Sequence, residues 1–302
     1  MNKLYHQTMR ALARSLHCGL IASELDFDHG VMQVDVDDDH ILQYALPNGF
    51  SRIPLYSREE DREKIVTDVA IADLQRQSVS SRRSVAVEEI IAASTPISEA
   101  IHLLSRRQFY FVLEGARIRQ ILTVSDLNLL PVRTYLHVLL DHLESLLAEC
   151  VEATHPNDSW MSLLSEEKQI QIRELHEQKR SQDFDTRLIH CTTLSDKATV
   201  VGKSQELLAA LSFDSRSASD RTFKPIGRLR GRVDHGLPPL DKDADALRDQ
   251  LRHCGVVTKQ ADVEWLHRVV GTMETWIDAL SALGDSAQAR GRTPQRITAV
   301  SS

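Results

Sequence analysis

Ile118-Arg119-Gln120-Ile121-Leu122-Thr123-Val124-Ser125-Asp126 decides how this chain is read. Apolar side chains fall at Ile118, Ile121 and Leu122, and a hydroxyl (Thr123) and a carboxylate (Asp126) follow. That order predicts a buried strand running into a helix N-terminus, with Thr123, Ser125 or Asp126 as the cap. A junction of this kind presents free backbone N–H groups and the positive end of a helix dipole, which suit a phosphate. A carboxylate held at the same point can accept both hydroxyls of a ribose. Thr123, Ser125 and Asp126 are therefore the candidate nucleotide seat. The plainer alternative is that Thr123 and Asp126 only cap a helix, each contributing about 1 kcal/mol.

The flanking sequence supplies the frame. Val85 to Ala93 reads as a strand with a polar middle, and Thr95 and Pro96 open a helix carrying Ile97, Ala100, Ile101 and Leu104 on one face. Phe109 to Leu113 is a continuous apolar run suited to a buried strand, and Glu114-Gly115 is a turn. Residues 85–130 thus read β-α-β-β-α. Thr95-Pro96-Ile97-Ser98-Glu99-Ala100 to Leu104, Phe109 to Leu113 and the closing Thr123-Val124-Ser125-Asp126 together resemble one CBS repeat. The resemblance implies a fold that commonly works as a pair, and a Thr and Asp that bind the ribose and phosphate of adenosine nucleotides. Thr123 and Asp126 match those positions, and Ser125 lies between them. The ligand implied is AMP, ADP or ATP, without a metal. Gln120 stands where the family usually has glycine.

A partner repeat is less legible. Residues 26–75 contain strand-like segments in a suitable order but no closing Thr-x-x-Asp, so they are either a degenerate half or another module. Val31 to Val36 alternates at period two and predicts a strand. Asp37-Asp38-Asp39 predicts a turn, and Ile41 to Leu46 the returning strand of a hairpin. With His40, the acids at Asp35 and 37–39 form a cluster that reads as a solvated turn, since the glycine and terminal glutamate of a calcium loop are missing. Residues 75–84 read as a linker.

Beyond Pro131 the pattern turns helical. Leu136, Leu139, Leu140, Leu143, Leu146 and Leu147 form one stripe, broken at Pro156-Asn157-Asp158. Further helices are predicted from about Ser165 to Lys179, after Ser204, around Ile226, Leu229 and Val233, and along Leu266, Val269, Val270, Met273, Ile277 and Leu280. The expected class is α+β. Residues 1–75 are an N-terminal α/β segment, 76–131 the CBS-like repeat, 132–284 an all-helical domain and 285–302 a disordered tail.

Within the helical part, residues 216–235 reverse the sign of the chain. Arg216, Arg221, Lys224, Arg228, Arg230 and Arg232 crowd there, and His235 follows. Such a patch favours phosphate-bearing partners, RNA included. Histidine can take the proton of a ribose 2′-hydroxyl, and arginine can hold the phosphoryl oxygens as charge grows. Arg230 and His235 resemble the Arg-x4-His of HEPN ribonucleases, helical bundles that pair so that two motifs share a cleft. That implies a metal-independent endoribonuclease. Gly231 stands where that family often has Asn, and Pro225 interrupts the preceding helix. The bland reading is a solvated basic helix face.

Composition bounds the rest. The chain has 302 residues, 42% hydrophobic and 26% charged, with a formal net charge of -7. It is long enough for two or three domains. Its mildly acidic balance confines any nucleic-acid contact to a local patch. No apolar run approaches the roughly 20 residues a bilayer span needs. Four cysteines lie far apart with no Cys-x-x-Cys, which predicts neither a zinc ribbon nor a redox pair and fits the cytoplasm. The expected function is an adenine-nucleotide-responsive regulator without a metal, a homodimer whose helical domain binds a partner or self-associates; the alternative is a nucleotide-gated HEPN-type endoribonuclease using Arg230 and His235.

Overall fold

The computed structural model describes residues 3–24, 32–48, 52–59, 62–76, 82–182, 186–235 and 260–291. The class is α+β, with every described strand before Val124 and helices after it. The chain divides into two compact units, one of Arg10–Leu136 with Arg232–Arg268, the other of Met1–Met9, His137–Gly231 and Val269–Ser302.

The first unit holds the strands. After α1 (Lys3–Ser15) come β1 (Ser23–Glu24), β2 (Met32–Gln33), α2 (Asp38–Asn48), β3 (Arg52–Glu59), β4 (Arg62–Ala70) and α3 (Ile71–Gln75). Then follow β5 (Arg82–Ser84), β6 (Ile90–Ala92), α4 (Ile97–Leu104), β7 (Phe109–Glu114) and β8 (Arg117–Thr123). They form two four-stranded sheets, ordered β1-β8-β7-β6 and β2-β3-β4-β5. In each, a parallel pair is followed by an antiparallel one: β2 with β3 then β3 with β4, and β6 with β7 then β7 with β8.

The register shows these sheets to be two copies of one pattern. Leu55 pairs with Thr67 and Tyr56 with Ile65, so Val66 is an extra residue in β4. Val112 pairs with Gln120 and Leu113 with Ile118, so Arg119 is an extra residue in β8. Both bulges sit at the same distance from the strand end, which makes Ala70 the counterpart of Thr123 and Asp73 the counterpart of Asp126. The first strands are exchanged: β1 pairs antiparallel with β8, and β5 antiparallel with β4. The described elements from β2 to α3 thus repeat the order and register of those from β6 to β8, with Ala70 where the other copy has Thr123.

A bulge also swaps the faces of a strand. Val69 lies with Ile41, Ala45, Ile53, Leu55, Ile71 and Leu74 in the core beneath α2 and α3. Ile65, across the bulge, joins Tyr56, Phe109 and Phe111 in a second cluster that ties the two sheets together. Beside it Asp68 is fully buried and paired with Arg52, while Glu89 accepts two bonds from Arg83, at 2.8 and 2.7 Å, and one from Arg107.

Four expectations are corrected here. Residues 41–46 are helix, not a returning strand, because Ile41 and Ala45 bury one helical face, and Asp37 Oδ1 accepts the His40 N–H at 2.8 Å. The acidic cluster therefore starts α2 and is not a hairpin turn. Residues 85–93 are a 3-10 turn (Val87–Glu89) and a short strand, because Glu89 turns inward to its arginines. Residues 82–84 of the supposed linker are β5.

After the strands, α5 (Leu130–Thr154) buries the leucine stripe from Leu136 to Leu147. It is followed by α6 (Glu166–Ser181), α7 (Leu194–Lys203), α8 (Gln205–Ala210), α9 (Arg216–Asp234) and α10 (Gln260–Gly291). Ser165 and Ser204 cap α6 and α8, accepting from Lys168 N and Leu207 N. The backbone of α10 stays helical to Gly291, into the stretch expected to be a disordered tail; 292–302 lie outside the described residues. No described helix is long and apolar enough to cross a membrane.

Candidate functional site

β8 delivers Thr123 at its end, and Val124–Asn128 follows as a 3-10 helix. Asp126 Oδ2 accepts the Thr123 backbone N–H at 2.6 Å and the Thr123 hydroxyl at 2.8 Å. Asp126 is buried, Thr123 half-buried and Ser125 exposed. The junction is a five-residue 3-10 turn, not the α-helix start expected, and Val124 N–H is already given to Gln108 O at 3.2 Å. A short turn sums few peptide dipoles, so the side chains carry more of any ligand contact than the backbone does. With its proton given to Asp126, Thr123 Oγ1 keeps only acceptor capacity, whereas the exposed Ser125 hydroxyl can donate.

The same lock occurs elsewhere in the chain. Thr193 gives Asp196 Oδ2 its N–H at 3.0 Å and its hydroxyl at 2.8 Å, capping α7. Hydrogen bonding alone therefore makes Thr123 and Asp126 a cap. What sets 123–126 apart is its place, at the end of a strand in a doubled β-α-β-β-α pattern.

Gln120 has a defined task. Its amide donates to Gly19 O at 3.3 Å and Ala22 O at 3.4 Å, fastening the segment before β1. Its counterpart Thr67 donates to Arg83 O on the other exchanged strand. A glycine at 120 has no side chain to make these bonds.

Arg230 and His235 lie in and just past the last turns of α9. Arg230 lies within α9, which runs unbroken through Gly231 to Asp234, and His235 follows exposed at its end. Five helical steps of about 100° turn the two positions about 140° apart. Arg230 donates to Glu144, which also takes Lys197 Nζ at 3.2 Å. Lys197 is buried, and burial lowers its pKa to about 8. Arg230 is thus one arm of an ion-pair triad.

Sequence reading missed a polar cavity among the helices, lined by Glu152, His155, Asp158, His176 and Arg187 with Asn157 and Leu188. Only adjacent positive φ angles at Asn157 (57°) and Asp158 (56°) mark it, and those are invisible in sequence. Among the described residues, no group of three or more His, Cys, Asp or Glu side chains is placed to hold a metal ion.

No family model matches the chain. No curated protein matches it either. Solved structures similar to it are CBS-domain proteins. CbpB in complex with c-di-AMP is 18% identical, covering 45% of this chain and 97% of that one, at TM-score 0.35. A CBS-domain pair with bound AMP from Klebsiella pneumoniae is 17% identical, covering 37% and 94%, at TM-score 0.27. CbpB from Streptococcus agalactiae is 20% identical, covering 45% and 89%, at TM-score 0.30.

Proposed function

We propose that residues 23–128 are a paired sensor taking an adenine nucleotide at Thr123, Ser125 and Asp126, and that the helical part is its output, binding a partner or a second copy. The observation that supports this most is the doubling of the fold. Asp73 and Asp126 stand at equivalent strand ends, but only the second is joined by a hydroxyl, so the two ends are unequal and a single seat is favoured. The ribose hydroxyls donate to Asp126, Thr123 Oγ1 accepts from the sugar, and Ser125 donates to the phosphate. The route outward is short: α5 begins at Leu130, just after the turn that carries Asp126.

Calorimetry of the full chain with AMP, ADP and ATP tests the seat. One of the three binds with one site per chain, and Asp126→Ala abolishes the heat while Asp73→Ala leaves it. Absence of heat with all three nucleotides, or an unchanged affinity in Asp126→Ala, overturns the reading. Sedimentation with and without the binding nucleotide then tests the output, which should shift the association state or the capture of a partner.

A further inference from the structure

The polar cavity lies wholly among helices of the second unit and is independent of the nucleotide seat. Its volume is about 360 Å³, within the range of roughly 300–1,000 Å³ typical of small-molecule sites. Its side chains are fixed from behind. Arg187 donates to Glu152 and, through Nε at 3.2 Å and Nη2 at 2.8 Å, faces His190 Nε2. Burial and the neighbouring Arg187 hold His190 below its ordinary pKa, so it meets the guanidinium as a neutral acceptor. His176 Nε2 donates to Thr186 O at 2.8 Å, and His155 Nε2 is bonded to Ser204 Oγ at 2.8 Å. Asp158 heads the 3-10 turn Ser159–Leu163 without its side chain capping it.

Charge then selects the ligand. The lining holds one guanidinium in contact with one carboxylate, and a second carboxylate nearby. Glu152 and Asp158 are two carboxylates against the single guanidinium of Arg187, so negative charge is in excess beside the arginine. An isolated anion is repelled by Glu152 and Asp158, and an isolated cation by Arg187. A ligand whose own opposite charges are one carbon apart satisfies both. We propose that this cavity binds a free amino acid, its carboxylate on Arg187, its ammonium between Glu152 and Asp158, and its side chain toward His155 and His176.

The test is calorimetry and thermal shift of the full chain with each of the protein amino acids, followed by the decarboxylated amine and the deaminated acid of whichever binds tightest. At least one amino acid binds, and both analogues bind about 10-fold or more weaker, the loss expected of one charged hydrogen bond. Arg187→Met and, separately, Asp158→Asn weaken binding by a similar factor, and both side chains are exposed enough for the variants to keep the melting behaviour of the parent. Asp126→Ala leaves amino-acid binding unchanged, which separates this site from the nucleotide seat. Absence of binding by every amino acid, analogues that bind as well as the parent, or an Arg187→Met variant with unchanged affinity each overturns the proposal.

Discussion

Asp73 and Asp126 occupy the same position in two copies of one pattern, each three residues past the end of a strand bulged at Val66 or Arg119. Only Asp126 has a hydroxyl partner, because the residue matching Thr123 is Ala70. The difference separates capping from ligand binding in experiment. Asp126→Ala should cost about 1 kcal/mol in urea unfolding, the worth of a lost cap, and Asp73→Ala less. Equal losses in the two variants would show that Thr123 adds nothing.

Glu89 tests the charged cluster between the sheets. Burial pushes its pKa up, but hydrogen bonds from Arg83 and Ala86 and the charge of Arg107 outweigh this and leave it lowered. A carboxylate with a lowered folded pKa stabilises above its unfolded pKa, and that contribution is lost as pH falls through the folded value. Glu89→Gln should therefore destabilise by about 3 kcal/mol at neutral pH, as breaking a buried pair does, and by progressively less toward strongly acidic pH. Parallel stability curves for parent and variant from pH 7 down to pH 3 would contradict this.

Lys197 should give a slope of the same sign in a more alkaline window. Its folded pKa, lowered to about 8 from 10.5 by burial, means that the unfolded chain holds more protons between those values. Stability then rises with pH across that window, by up to about 3 kcal/mol. Denaturant melts between pH 7.5 and pH 10.5 should show the rise in the parent and not in Lys197→Met.

Arg230 and His235 part company under substitution. Arg230→Met leaves Glu144 with Lys197 alone, and an expected loss of about 1–3 kcal/mol follows from removing a partly buried charged hydrogen bond. His235→Ala, at an exposed helix end, should change stability by less than about 0.5 kcal/mol. Matching effects in thermal melts would mean that the two residues act together after all.

Gln120→Ala removes both bonds to the segment before β1. Amide exchange of residues 18–22 should speed up relative to that of β7, with a stability loss of about 1 kcal/mol. Unchanged exchange would show that His17, Cys18 and Gly19 hold the segment through residues 92–95 without help.

The second half of the fold was legible because its periodicities are strong. Ile97, Ala100, Ile101 and Leu104 are all buried, as are Phe109 to Val112 and the leucine stripe of α5 from Leu136 to Leu147. The first half was not, for two physical reasons. Ile41 to Leu46 fits a strand as well as a helix over so few residues, and only the core contacts of Ile41 and Ala45 decide between them. The bulge at Val66 breaks the alternation that would have marked β4. In the seat, residue types and spacing gave the Thr123 and Asp126 pairing but not the length of the turn. Burial and long-range ion pairs leave no local signal, which is why the role of Arg230 and the cavity at Glu152 had to come from coordinates.

The crossed placement of β1 and β5 has a consequence for how the molecule can be made. Cutting the polypeptide between Arg76 and Arg82 would give two fragments, each carrying the border strand that its neighbour requires. Neither piece can complete its own sheet, so expressed singly each should be insoluble or aggregate through its open border, and co-expression should restore a soluble pair. The two halves were built to mature together.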